Sequence, residues 1–120
     1  MKGSGIDSDT PDYLWKGKKL NAGWITTFNS IGVISENRLT SVNSKTDGRI
    51  ACLLGCAAST GIGSVINEAN TKPYHSMAVV GCGGVGLNCI YGGVIINSRY
   101  IVGFDLNKHS CNLARKIGAN

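Results

Sequence analysis

The sequence predicts an α/β protein, and three observations predict it. Two short apolar runs, Met77-Ala-Val-Val and Tyr100-Ile-Val-Gly-Phe, have the character of buried parallel strands. Each is followed by a segment carrying helix signals, and a glycine-rich turn stands between the first strand and its helix. Strand, helix, strand, helix in that order argues for parallel pairing through a right-handed crossover.

Along the chain, Met1 to Pro11 is polar and Gly/Ser/Asp-rich, without the pattern of a secretory signal. Trp24 to Val42 is rich in Thr, Ile, Val and Phe and suits a partly buried antiparallel strand pair. Arg49 to Cys56 reads as a short helix capped by Asp47, and Thr60 to Ala69 as a second, closed by Asn70 and Pro73. The Met77 strand should be covered on both faces. Val85 to Ile96 is long enough for a helix of about three turns, with Asn97 supplying a left-handed end. After the Tyr100 strand and Asp105, Asn107 caps a last helix on which Cys111, Ala114 and Ile117 recur at spacing three, and Gly118 ends it.

Composition excludes several function classes. The 120 residues, 42% hydrophobic and 16% charged, suffice for one domain. The formal charge of +5 is spread thinly, its densest cluster being Lys16, Lys18 and Lys19, so no nucleic-acid face is expected. Ser76 to Ser98 carries no charge over a length that spans a bilayer, but six glycines in its middle weaken a helix by about 1 kcal/mol each. No membrane partner is expected. Five cysteines without a CxxC pair argue against a disulfide framework and for a reducing, cytoplasmic setting.

Gly81-Cys82-Gly83-Gly84-Val85-Gly86 has the G-x-G-x-x-G spacing. Gly81 permits the tight turn, Gly83 lets backbone approach a pyrophosphate, and Gly86 lets helix and sheet pack closely. Free N–H groups at the helix start then hold phosphate charge. Asp105, at the end of the next strand, stands where a carboxylate hydrogen-bonds an adenosine ribose, and its charge favours NAD over NADP. A methyltransferase also places a glycine-rich turn and an acid in this way, but seldom needs the third glycine. Cys56, on spacing alone, reads as a buried small hydrophobe, since one thiolate cannot hold a metal. His75 and His109 read as solvated.

Gly55-Cys56-Ala-Ala-Ser59-Thr60-Gly61-Ile-Gly63, the glycine turn and Ile101-Val-Gly-Phe-Asp105, in this order and spacing, resemble the zinc-dependent medium-chain alcohol dehydrogenases, nearest the glutathione-dependent formaldehyde dehydrogenase branch. Lys16-Gly-Lys-Lys19 and Thr26-Thr27-Phe28 resemble the segment after that family's structural-zinc lobe. The resemblance implies the first βαβ part of a Rossmann dinucleotide-binding fold, preceded by a β-rich piece of the catalytic domain. Residues 1–56 would end a GroES-like catalytic domain, and residues 57–120 would begin the NAD-binding domain.

It further implies that zinc polarises an alcohol or hydroxymethyl adduct as hydride passes to NAD. Cys56 matches a zinc ligand, and Thr60 a catalytic-site residue lining the nicotinamide end of the cofactor site. Gly81, Gly83, Gly84, Val85, Gly86 and Asp105 match the pyrophosphate turn and ribose acid. The family's remaining zinc ligands, proton relay and later sheet strands have no counterpart here, so the chain is expected to be a fragment, inactive alone, of an enzyme that forms homo-oligomers and acts on a small alcohol. Ser110 replaces a frequent lysine, Val94 a usually polar helix residue, and Gly32 a common aromatic. The rival expectation is a non-catalytic nucleotide-binding or interaction module using the same glycines; a zinc-free relative like the quinone reductases has no use for Cys56.

Overall fold

The computed structural model describes residues 13–20, 30–32, 34 and 36–120, and the chain divides into two compact units, Met1–Asn43 and Ser44–Asn120. In the first unit β1 (Tyr13–Trp15) and β2 (Lys18–Leu20) form an antiparallel hairpin with Trp15 opposite Lys18. Its two turn residues, Lys16 and Gly17, both have positive φ, 49° and 74°, the twist that suits a two-residue hairpin. The lysine cluster is thus a solvated hairpin, with Lys16 Nζ 4.6 Å from the Trp15 ring centroid. Of the strand pair expected over Trp24 to Val42, residues 24–29, 33 and 35 lie outside the described residues, as does the Thr26-Thr27-Phe28 segment. The described remainder forms no strand, only a 3-10 turn at Glu36–Arg38.

The second unit begins at Asp47, whose carboxylate accepts from the Arg49 backbone N–H at 2.9 Å and pairs with the Arg49 guanidinium at 2.6 Å. From there one helix runs unbroken over Gly48–Glu68, where two had been expected. It consists of α1 (Gly48–Leu53), a wide π turn (Leu54–Ala58), α2 (Ser59–Gly63) and a second π turn (Ser64–Glu68). No proline interrupts it, and Gly61 serves packing: a Cβ there would lie 2.5 Å from both Asn88 Cβ and Val85 O. Asn70, at φ 46°, ends the helix, and the Thr71 N–H returns to Val65 O. The division expected after Cys56 therefore falls inside a continuous helix, while the compact units part at Asn43.

β3 (Ser76–Val80) leads through the glycine turn to α3 (Gly84–Ile95), which crosses to β4 (Tyr100–Phe104), and α4 (Lys108–Ile117) follows. The strands pair in parallel with Ser76 opposite Tyr100 and Val80 opposite Phe104. The run once open to reading as a membrane span is therefore strand, turn and a 12-residue helix. Asn97 at φ 59° and Gly118 at φ 134° end α3 and α4, and Asn107 Oδ1 caps α4 through the His109 N–H.

Side-chain alternation divides the sheet. Val79 and Ile101 face the helices and form the core with Cys82, Ile90 and Ala114, while Met77, Leu87 and Ile117 pack around them. Ile90 is wholly buried, a burial that contributes about 1.5–3 kcal/mol. Gly93 lets α3 settle on the strands, since a Cβ would meet Met77 Sδ at 2.5 Å. The opposite face carries Val80, Val102 and Phe104, all exposed, Val80 at 87%. The expectation of strands covered on both faces is corrected: among the described residues only one face has a layer against it. At the open edge of β4, Asn120 makes two hydrogen bonds with the Ile101 backbone, each 2.8 Å.

Gly61→Ala is expected to cost about 1–3 kcal/mol through overpacking at α3. Gly55→Ala, whose Cβ meets nothing within 4 Å, should instead stabilise by about 0.5–1 kcal/mol. Urea unfolding of the two variants beside the parent chain measures both; equal effects would refute the close-approach role of Gly61.

Candidate functional site

The glycine turn is built from the end of β3 outward. The Gly81 N–H donates to Phe104 O at 2.7 Å, extending the strand pairing by one residue, and Gly81 then adopts φ 91°, where side chains are strained. The Cys82 N–H donates to Asp105 Oδ2 at 2.7 Å, and the Cys82 side chain turns down into the core. Gly83 starts α3 with extended backbone and no side-chain cap, and a Cβ on it would meet nothing within 4 Å. Backbone N–H groups at the helix start are therefore uncovered by any capping side chain. Gly86 is the opposite case: a Cβ would fall 1.8 Å from Gly81 O, so only glycine fits. A Cβ added at Gly84 would make an ordinary contact, 3.7 Å, with Ala57 Cβ of the long helix, and Val85 is exposed.

Asp105 joins this turn to the start of α4. Its Oδ1 accepts from the Asn107 N–H at 2.7 Å and its Oδ2 from Cys82. These two hydrogen bonds, that from Asn107 the larger, hold the carboxyl below the ordinary carboxylate range against a small opposing effect of burial. Sequence reasoning missed this bridging role. An Asp two residues ahead of an Asn at a helix start is a local signal for the Asn107 bond, but nothing local marks the bond to Cys82. Beside Asp105 opens a depression of about 600 Å³ lined by Val80, Gly81, Gly103, Phe104, Leu106 and Cys111. Its walls are mostly apolar, with one carboxylate at the rim.

The other expected site residues lie on the long helix. Cys56 is exposed, which corrects its reading as a buried hydrophobe, and sits in the first π turn beside Ala57, whose Cβ would lie 3.7 Å from a Cβ added at Gly84. No group of three His, Cys, Asp or Glu side chains able to hold a metal occurs among the described residues. Thr60 is exposed and lines a separate depression of about 230 Å³ with Ser59, Gly63, Ser64, Asn67 and Glu68. The structure thus gathers Gly81, Gly83, Gly84, Val85, Gly86 and Asp105 into one turn. It leaves Cys56 and Thr60 on the helix that flanks it. His109 is exposed, and His75 Nδ1 accepts from the Lys72 N–H.

The strand, glycine turn, helix and strand define an α/β unit that presents a helix N-terminus beside a carboxylate. No family model matches the chain. The S-(hydroxymethyl)glutathione dehydrogenase of Synechocystis sp. is 34% identical over 120 residues, covering 98% of this chain and 32% of that protein. The protein of the same name from Shigella sonnei is 37% identical over 94 residues, covering 78% of this chain and 26% of that one. Among solved structures, benzyl alcohol dehydrogenase from Acinetobacter calcoaceticus superposes with a TM-score of 0.63 at 28% identity, over 66% of this chain and 22% of that chain. An alcohol dehydrogenase zinc-binding domain protein from Burkholderia ambifaria gives 0.62 at 29% identity, over 66% and 21%. The chain is thus similar to alcohol dehydrogenases in both sequence and fold, and it spans about a third of the length of the curated relatives it matches, or less.

Asp105 stabilises the fold in its charged form. Its folded-state pKa is depressed, so the contribution is complete above the unfolded value of about 4 and is lost as pH falls through the folded value. The parent chain should therefore exceed Asp105→Asn in urea midpoint at pH 7, with the gap narrowing as pH falls below about 4. A gap independent of pH would assign the loss to packing.

Proposed function

We propose that the chain is a segment of a zinc-containing, NAD-dependent alcohol dehydrogenase that moves hydride from an alcohol or hydroxymethyl adduct to NAD, and that this segment supplies the first βαβ part of the Rossmann nucleotide cleft. The observation that carries the reading is the contrast between two glycines of one turn. Gly86 is closed against Gly81 O, whereas Gly83 faces open space at an uncapped helix start. Such a cradle suits a pyrophosphate, which needs backbone N–H groups and room for close approach. Asp105 keeps lone pairs beyond its two backbone bonds for ribose hydroxyls, and Val80, Phe104 and Leu106 offer an apolar wall to a flat base.

When bound, NAD supplies the hydride acceptor. The chain's own share is to bind and orient: the turn fixes the phosphates, and Thr60 stands on the helix beside the start of α3, on the side we assign to the nicotinamide. Zinc does not fit these residues alone, because Cys56 is a single thiol without co-ligands among the described residues. Cys56 is accordingly one ligand of a site completed by parts of the family fold outside this chain, and the 120 residues by themselves are inactive. Residues 1–56 are assigned to the end of the catalytic domain and residues 57–120 to the start of the nucleotide domain. Five free cysteines fit a reducing, cytoplasmic setting. The second reading, a nucleotide-binding or interaction module without catalysis, uses the same glycines but has no need of a thiolate at Cys56.

Titration calorimetry of the chain with NAD and with NADP tests the proposal. NAD is expected to bind at least about tenfold more tightly, since Asp105 repels a 2′-phosphate, and Asp105→Asn should narrow the ratio. Equal affinities in the parent chain, or no binding of either to the folded chain, would sink the nucleotide reading. Alcohol oxidation by the chain alone would overturn the assignment of Cys56 to a shared site.

A further inference from the structure

Two thiols, those of Cys82 and Cys111, flank the end of β4 beside the Asp105 depression, and the nucleotide reading gives neither sulfur a role. Cys82 is 1% exposed, and its Sγ lies 3.7 Å from Phe104 O. Cys111 lines the depression, and its S–H donates to Asp105 O at 3.4 Å, so the two sulfurs sit on consecutive carbonyls at the end of β4. The absent side chain of Gly103 brings their elements together. A Cβ at that position would lie 3.0 Å from Cys82 Sγ and 3.4 Å from Ala114 Cβ. Cys111 precedes Ala114 by about one turn of α4, on the same face. The remaining cysteines are placed differently: Cys52 and Cys56 are exposed on the long helix, and Cys89 lies within α3.

We propose that Cys82 and Cys111 form a redox-sensitive dithiol that small-molecule disulfides convert to an intramolecular disulfide. In the first step the Cys111 thiolate attacks one sulfur of the disulfide RSSR, forms Cys111–S–S–R and expels RS⁻. In the second, Cys82 gives up its proton and attacks the Cys111 sulfur, forming the protein disulfide and releasing a second RS⁻. Two protein thiols are oxidised, one RSSR is reduced to two RSH, and no other reagent is needed. Cys111 enters first because it alone borders open space. Burial, the Asp105 charge and the neighbouring Cys111 all push the Cys82 thiol up, which suits it to the resolving step rather than the opening one. The cross-link ties the glycine turn to the first turn of α4 across the floor of the depression.

Exposing the whole chain to buffers of varied reduced-to-oxidised glutathione ratio, followed by acid quench, alkylation and peptide mass mapping, tests this. The expected result is a linked peptide joining Cys82 to Cys111 with the loss of two hydrogens, restored to free thiols by reductant. In Cys82→Ser the glutathione adduct on Cys111 should accumulate, and in Cys111→Ser Cys82 should remain a free thiol. The proposal is wrong if wild-type Cys82 is recovered unoxidised at every ratio, or if Cys111 halts at the glutathione adduct. Wild-type mapping alone decides the point, so a variant that fails to fold does not leave it open.

Discussion

The carboxylate of Asp105 is the constraint on which the rest of the second unit depends. One side chain, accepting from Cys82 and Asn107 at 2.7 Å each, fixes both the turn that leaves β3 and the turn that enters α4. Without it, a segment with glycine at 81, 83, 84 and 86 has wide backbone freedom and no side chain of its own to define a shape. The glycines permit the cradle, and the carboxylate selects it from the conformations they permit.

Close packing supplies the second layer of definition. α3 is held close on both sides by glycines, Gly61 of the long helix against Asn88 and the Val85 backbone, and Gly93 against the Met77 and Ile101 side chains. These contacts set the helix axis, and hence where its N-terminal N–H groups point. For the nucleotide reading proposed above, that direction matters more than any particular polar side chain.

What the sequence made legible follows from how local each signal is. Asp47, Asn97, Asn107 and Gly118 act within a few residues of themselves, and each caps or ends the element expected of it. The parallel pair was readable because two apolar runs bracket an amphipathic-length segment. The continuity of the long helix was not, because Gly55, Gly61 and Gly63 look like a break until the neighbour that Gly61 admits is known. The bridging duty of Asp105 spans 23 positions, and the bareness of the Val80 and Phe104 face depends on what packs from elsewhere; neither leaves a mark in a local window. The zinc and nicotinamide roles proposed for Cys56 and Thr60 rest only on likeness to a family, since a lone thiol and a lone hydroxyl carry no spacing to recognise.

That long-range hydrogen bond also orders events in time. α3 can begin from its own residues, but the turn ahead of it reaches its final shape only after β4 has docked alongside β3, because the acceptor for Cys82 arrives with that strand. Closing a loop of this length costs entropy before any contact returns it. The final shape of the glycine turn is therefore a late product of folding and an early loss when β4 detaches. The exchange of a single amide hydrogen, that of Cys82, reports the docking of a strand more than twenty residues away.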